Sequence, residues 1–359
     1  MKNFFNVKTP SNIYLWWNFG SAILMMMVIQ ISSGVMISMN YISKNNMFDS
    51  SLNIYMNLNY GWMLRLMHSN ITSIMFILIL IHLSRSLMFK SFMNFKMWTS
   101  GISMLLLIMM ESFIGYSLIW NQMSYWAMMV ITNFISAIPS IGKKIIKIVW
   151  GNFNINIILI NRFLSLHFII PILIMLISLI HIMILHSFKS NNPLGITNKT
   201  DLINLNPNLI IKDMVLFTNL LMMLLMIIMI KPMLLSNEDN FVMMNYFKTP
   251  SHIEPEWYFM FFYSILRSIN NKMSGLMMLM MSILMMLILP KINSNKFQSF
   301  NTIYKTLIVM IMFIIFSISS LSKKNVEFPF KELNITLIYL FFFWFFMTYL
   351  LNKLWNKMF

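Results

Sequence analysis

His68 and His82 stand 14 residues apart in one apolar segment, and His167 and His181 stand 14 apart in another. On an α-helix that interval is about 3.9 turns, so the members of a pair share a face and lie roughly 21 Å apart along the axis. Imidazole is a ligand for haem iron. Two facing helices with matched histidine levels would hold two stacked haems by bis-histidine ligation, a short path for electrons across a bilayer. A single histidine in such a segment is ordinarily a polar residue bonded to a neighbouring helix. A duplicated spacing asks for two ligand levels.

Glycine repeats the interval: Gly20 and Gly34 lie in the first apolar segment, Gly101 and Gly115 in the third, out of nine glycines in the chain. A flat macrocycle lying against a helix needs positions without Cβ, so the four glycines are read as its seats. Small residues at helix crossings are the ordinary alternative, but they do not account for the interval. Arg65, three residues before His68, and Arg85, three after His82, bracket the histidine ladder where haem propionates would emerge.

These residues must be positioned by membrane helices. The chain is 58% apolar and 10% charged, with mean hydropathy +0.72, and uncharged apolar stretches of about 20 residues recur along it. Eight spans are predicted, at 16–39, 66–84, 97–120, 163–188, 214–230, 273–289, 306–321 and 333–351. This predicts an all-α polytopic membrane protein whose first four helices enclose the haems. The two histidine-bearing spans are the second and fourth, which cross in the same direction. His68 therefore faces His167, and His82 faces His181. We divide the chain into a di-haem domain, 1–200, which includes an amphipathic segment on the outer face, and a C-terminal four-helix domain, 201–359.

A net charge of +16 in a soluble protein would suggest nucleic acid, but here the basic residues are scattered through short loops, as membrane flanks are. An even number of spans puts both termini on one side, with the loops 90–96, 189–213 and 291–305. Asp49, Glu238, Asp239, Glu254, Glu256, Glu327 and Glu332 fall on the other. The positive-inside bias assigns the termini to the matrix or cytoplasm, with Lys143, Lys144 and Lys147 running against it. Residues 1–9 lack the apolar core of a cleaved signal. Zero cysteines exclude disulfides, thiolate metal sites and thioether haem attachment, so haem would be non-covalent. Low Ala and Gly beside abundant Met, Ile, Phe, Asn and Lys fit an AT-biased, mitochondrial type of gene, with Met-rich runs facing lipid.

Two further clusters lie at opposite faces. On the acidic side, Glu256 sits among aromatics in Pro255-Glu256-Trp257-Tyr258, where a carboxylate could take a proton from a bound phenolic ligand. On the basic side, His186, Lys212 and Asp213 could supply protons to a quinone; as a helix-end histidine and a cap-like acid they would also be unremarkable.

The chain resembles the cytochrome b family, the haem-carrying membrane subunits of quinol:cytochrome c reductase (respiratory complex III), in its mitochondrial form. The resemblance spans essentially the whole chain. It rests on Trp16-Trp17-Asn18-Phe19-Gly20-Ser21, Arg65 with His68, His82 with Arg85, Val130-Ile131-Thr132-Asn133, Ser136-Ala137-Ile138-Pro139, Arg162 before His167, Asn191-Asn192-Pro193 and Pro255-Glu256-Trp257-Tyr258-Phe259. It implies a low-potential haem b on His68 and His167 near the intermembrane space and a high-potential haem b on His82 and His181 nearer the matrix. It further implies ubiquinol oxidation at an outer site near Glu256, Tyr263, Phe113 and the 127–139 segment including Ala127. Ubiquinone would be reduced at an inner site of Trp17, Asn18, His186, Ser190 and Asp213. The implied enzyme is a proton-translocating oxidoreductase of the inner mitochondrial membrane, working by the Q-cycle. Its implied partners are a Rieske-type iron-sulfur subunit, a c-type cytochrome and other complex III subunits, in a homodimeric complex.

The chain departs from the family pattern in places. The usual Gly-Tyr-Val-Leu-Pro-Trp-Gly-Gln-Met reads Gly115-Tyr116-Ser117-Leu118-Ile119-Trp120-Asn121-Gln122-Met123. Ala127 stands where glycine is usual, Glu254 where a basic residue is usual, and Glu111 where a small neutral residue is commoner. Two other classes remain as alternatives: a haem-free proton or ion transporter, and a structural subunit of a respiratory complex. The transporter leaves the glycine rhythm unexplained.

Overall fold

The computed structural model describes residues 8–42, 47–188, 190, 192–193, 200–250, 252–292 and 301–358. Lys189, Asn191 and parts of the 1–9, 189–213 and 291–305 segments discussed above lie outside them. The described residues form the α-helices α1 (Phe19–Ser38), α2 (Met47–Asn57), α3 (Gly61–Met88), α4 (Phe95–Ser117), α5 (Gln122–Asn133), α6 (Gly142–Trp150), α7 (Ile157–Phe188), α8 (Asn208–Ile230), α9 (Met260–Ser268), α10 (Lys272–Ile292), α11 (Thr302–Leu321) and α12 (Phe330–Met358). Eight of them, α1, α3, α4, α7, α8, α10, α11 and α12, are long and apolar enough to cross a membrane.

Several helices run past the apolar runs that mark them. α7 starts at Ile157 rather than near 163 because Asn156 caps it, its Oδ1 accepting from the Ile158 N–H at 3.1 Å. The polar Arg162 is accommodated in that first stretch by donating back to the carbonyls of Ile148 and Val149. At the first span the reverse holds: Leu15–Trp17 form a 3-10 turn, and α1 begins after Asn18.

α1 packs along α3, and α4 along α7. Ala22 and Met26 of α1, Ile71 and Ile74 of α3, Ile114 of α4 and Leu159 and Ile160 of α7 share one buried core. α8 joins that core through Leu220, Leu224 and Ile228, although its residues fall in the 201–359 segment. A second core gathers Ile265 of α9, Leu289 of α10, Tyr304 and Ile308 of α11 and Phe341 and Trp344 of α12. α3 and α4 lend it Leu87, Trp98 and Ile102. Buried polar ends tie helices across it: Trp98 Nε1 donates to the Met286 carbonyl at 2.8 Å, and the Tyr304 hydroxyl to that of Leu87 at 2.9 Å. The methionines divide. Met222, Met226 and Met229 of α8 are exposed on the outside of the bundle, whereas Met26, Met123 and Met128 are fully buried.

Outside the spans, α6 buries Ile146 and Trp150 while Lys143 and Lys144 stay exposed, so the lysines that run against the charge bias belong to an amphipathic surface helix. Lys90 is also no simple basic flank. It is buried with its Nζ 4.5 Å from the centre of the Tyr304 ring, and burial pulls its ammonium down to about 7. A two-stranded antiparallel sheet, β1 (Lys8–Pro10) with β2 (Leu202–Asn204), ties the N-terminal segment to the approach to α8.

Candidate functional site

The helix pairs α1–α3 and α4–α7 bring the four histidines to two levels. His68 and His167 face each other with ring centres 6.3 Å apart. A metal held between two imidazole nitrogens, with bonds of about 2 Å, sets ring centres about 6 Å apart, so the observed separation suits one iron between them. His82 and His181 lie within electrostatic reach of each other at the other level.

Each glycine of the 14-residue rhythm sits against one of these rings. A Cβ added at Gly34 would lie 3.0 Å from His68 Cε1, at Gly20 3.2 Å from His82 Cε1, at Gly101 3.6 Å from His181 Cε1, and at Gly115 2.5 Å from His167 Cε1. The glycines therefore seat the imidazoles themselves: what they set is where the histidine rings stand.

At His181 and His68 the Nδ1 partner fixes which nitrogen is free. The Ser100 hydroxyl gives its hydrogen to the Met97 carbonyl at 2.9 Å, so its oxygen accepts from His181 Nδ1–H at 2.7 Å. Ser33 stands likewise between the Gln30 carbonyl and His68 Nδ1, at 3.0 Å from each. With the proton on Nδ1, the Nε2 lone pair is left for a metal. Gln30 Nε2 lies 3.2 Å from His68 Nε2, a contact that iron at that nitrogen would replace. Ser33 and Ser100 were not singled out in the sequence, yet each directly precedes a glycine of the rhythm. At His82 the neighbour is Arg85, whose Nη2 is 3.3 Å from Nδ1 and whose Nε is buried without a partner among the described residues. Arg65 donates to the Ser51 carbonyl at 3.1 Å and lies over Tyr55 and Phe241.

A cavity of ≈ 350 Å³ opens between His68 and His167 and is lined by Gly34, Gly115, Arg65, Glu256 and Tyr258 as well. A second, of ≈ 390 Å³, is lined by Glu238, Glu254, Trp257 and Lys323 and shares Leu235, Ser236 and Glu256 with the first. Burial pushes the Glu256 carboxyl up to about 7, against a weak opposing hydrogen bond from Asn240 Nδ2 at 3.5 Å. Tyr258 stacks on Phe76, ring centres 4.1 Å apart, and burial raises its hydroxyl well above the usual range.

Other expected residues stand differently. Phe113 packs edge-on against Phe163 and Phe259. Tyr263 has Arg267 6.0 Å from its ring centre. Ala127 is buried against Tyr116 and Met123. None of the three lines either cavity; Ala127 lies one layer behind Tyr116, which does line the first.

At the opposite end of the first helix, Asp213 Oδ1 accepts from Asn18 Nδ2 at 2.6 Å and from the Ser21 hydroxyl at 2.5 Å. Trp17 packs beside, 5.0 Å from Phe89 and under the Arg85 guanidinium at 5.5 Å. Lys212 is drawn away, donating to the Ile13 carbonyl at 3.1 Å. His186 and Ser190, both half-buried, lie at and just beyond the end of α7.

Two family models match the chain: cytochrome b/b6/petB over residues 4–189 and the C-terminal cytochrome b/b6/petD over residues 243–346. Cytochrome b of Apis mellifera ligustica is 41% identical over 355 residues, 98% of this chain and 92% of that protein. The chain belongs to the cytochrome b family. A chain from a structure titled "Hyperthermophilic respiratory Complex III" shares the fold, with a TM-score of 0.92 and 21% identity over 97% of this chain and 94% of that one.

Within the cytochrome b family, the departure at Asn121 has a local reason. Its Oδ1 accepts from the Ser124 N–H at 2.6 Å while Ser124 Oγ accepts from the Asn121 N–H at 3.1 Å, a capping box that starts α5. Asn121 Nδ2 also donates to the Asn240 carbonyl at 3.2 Å, and Asn240 Oδ1 accepts from the Tyr116 hydroxyl at 2.8 Å. Asn240, in a 3-10 turn, thus links the start of α5 to Glu256, and nothing in its local sequence announces it.

The glycine distances give a graded expectation. Alanine at Gly115 must displace the ligand ring itself, an overpacking cost of about 1–3 kcal/mol, whereas the Cβ at Gly101 makes ordinary contact. If each level holds a haem, the signal from the His68–His167 level should weaken in the order Gly115→Ala, then Gly34→Ala, with Gly20→Ala mild at the other level and Gly101→Ala neutral. Equal losses from Gly115→Ala and Gly101→Ala, read in visible spectra, would show that the notches do not place the rings.

Proposed function

We propose that this chain carries electrons from ubiquinol across the inner mitochondrial membrane by way of two non-covalent b-type haems, as the haem-bearing catalytic subunit of quinol:cytochrome c reductase. A Rieske-type iron-sulfur subunit, a c-type cytochrome and further complex III subunits, in a homodimeric complex, are its proposed partners, and the termini lie on the matrix side. The observation that carries the reading is the facing of His68 and His167 at 6.3 Å, with a glycine behind each ring.

Glu256 borders both outer cavities, so one carboxyl meets the space beside the histidines and a second space walled by Glu238, Glu254 and Lys323. A carboxyl poised near 7 can take a proton from a quinol hydroxyl in the first and release it into the second. At the inner end, Asp213 fixes Asn18 through one oxygen. That leaves Trp17 Nε1 and Asn18 Oδ1 buried and, among the described residues, unpartnered, a donor and an acceptor of the kind a quinone and a quinol need. His186 and Ser190 lie at the same end as proton-carrying neighbours.

Adding a ubiquinol analogue to isolated membranes containing this chain tests the reading. A b-type α-band should grow in and then decay as added cytochrome c is reduced. A transporter or a structural subunit would give no α-band at any potential.

A further inference from the structure

The four Nδ1 atoms of the histidine ladder have neighbours of three different chemistries. His68 and His181 meet the hydroxyls of Ser33 and Ser100, His82 meets the Arg85 guanidinium, and His167 meets a carboxyl, with Glu111 Oε1 2.6 Å from its Nδ1. Glu111 lies on α4 one turn before Gly115, so the residue that seats the ring and the residue that faces its outer nitrogen share one helix face. Both Glu111 oxygens and His167 Nδ1 are buried with no other hydrogen-bond partner among the described residues. A carboxyl inside a span is retained where it has a partner or a function, and the partner within reach here is the imidazole of a proposed ligand.

We infer that Glu111 is a positioning and tuning residue for the outer histidine pair: its carboxylate, drawing on Nδ1–H, makes His167 a more strongly donating ligand than the other three and holds the potential of the outer site down. Two effects act in the same direction. A carboxylate at Nδ1 raises the electron donation of Nε2 and so favours ferric iron. Its negative charge, in a medium of low dielectric, also opposes the arrival of an electron. The serines at His68 and His181 supply hydrogen-bond geometry without charge. Glu111 thereby widens the difference between the two levels in the sense that drives electrons from the outer pair to the inner.

The inference rests on the proposed bis-histidine haem ligation, and the test separates the two. In the complete complex, Glu111→Gln keeps the shape and removes the charge, while Glu111→Ser supplies the hydroxyl found at positions 33 and 100. Haem per chain, potentiometric titration of the α-band and the low-spin electron paramagnetic resonance signal are measured for each. At a fixed potential near the midpoint, the ratio of reduced to oxidised outer haem should rise about tenfold in both variants, equivalent to about 59 mV for one electron. The outer resonance should shift while the inner component stays put. Unchanged outer potentials with haem retained would overturn the tuning role. So would loss of the outer haem from both variants, which would mark Glu111 as a structural partner only. If one variant alone loses haem, the other decides. Absence of haem from the unmodified chain would instead defeat the parent reading.

Discussion

His82→Leu and His181→Leu should each delete the same, higher-potential haem component and leave the lower one in place. The expectation follows from direction of travel: α3 and α7 cross the membrane the same way, so the first histidine of one helix meets the first of the other. His68 and His167 stand ring to ring at 6.3 Å, which leaves His82 and His181 to each other. On the proposed bis-histidine ligation, removing one imidazole would take away half of the protein ligation at that level and open a gap beside Gly20 or Gly101, so loss should be near complete there. His68→Leu and His167→Leu should delete the other component. A potentiometric titration of each variant is the check, and His82→Leu and His181→Leu affecting different components would contradict the pairing.

Glu256→Gln should slow quinol oxidation by roughly a hundredfold or more, the scale of losing a positioned general base, while both haem signals survive. The unmodified chain should also show a pH dependence with a definite sign. The Glu256 carboxyl is raised to about 7 by burial, and it accepts protons only as the carboxylate. Quinol oxidation should therefore fall as pH drops through about 7 and level off above it, and Glu256→Gln should abolish that inflection. Turnover unchanged across the pH range in Glu256→Gln would show that the carboxyl is a bystander between two cavities.

The histidine and glycine levels were legible because helix periodicity converts a 14-residue interval into a shared face whatever the surrounding residues are. The polar shell was legible only in part. Ser33 and Ser100 precede glycines of the rhythm and could have been read from that adjacency. Asn240, by contrast, reaches Tyr116, Asn121 and Glu256 from a turn more than 100 residues away from the first two. Ala127 illustrates a different limit. On α5 it shares a face with Met123, one turn away, and the neighbouring helix surfaces are apolar all round. The sequence therefore does not say which apolar face meets the cavity and which packs behind Tyr116. Span limits shift for a related reason: caps such as Asn156 and backbone-directed side chains such as Arg162 carry helices through polar residues that hydropathy reads as ends.

Haem extracted from the purified complex, counted against this polypeptide and read in its reduced-minus-oxidised spectrum, tests the two-level ladder most directly. A facing pair at one depth, His68 with His167, and a second pair in reach at the other, each ring seated on a glycine, predict two non-covalent b-type haems per chain that titrate at separate potentials. One haem per chain, or a spectrum with no α-band, would contradict it.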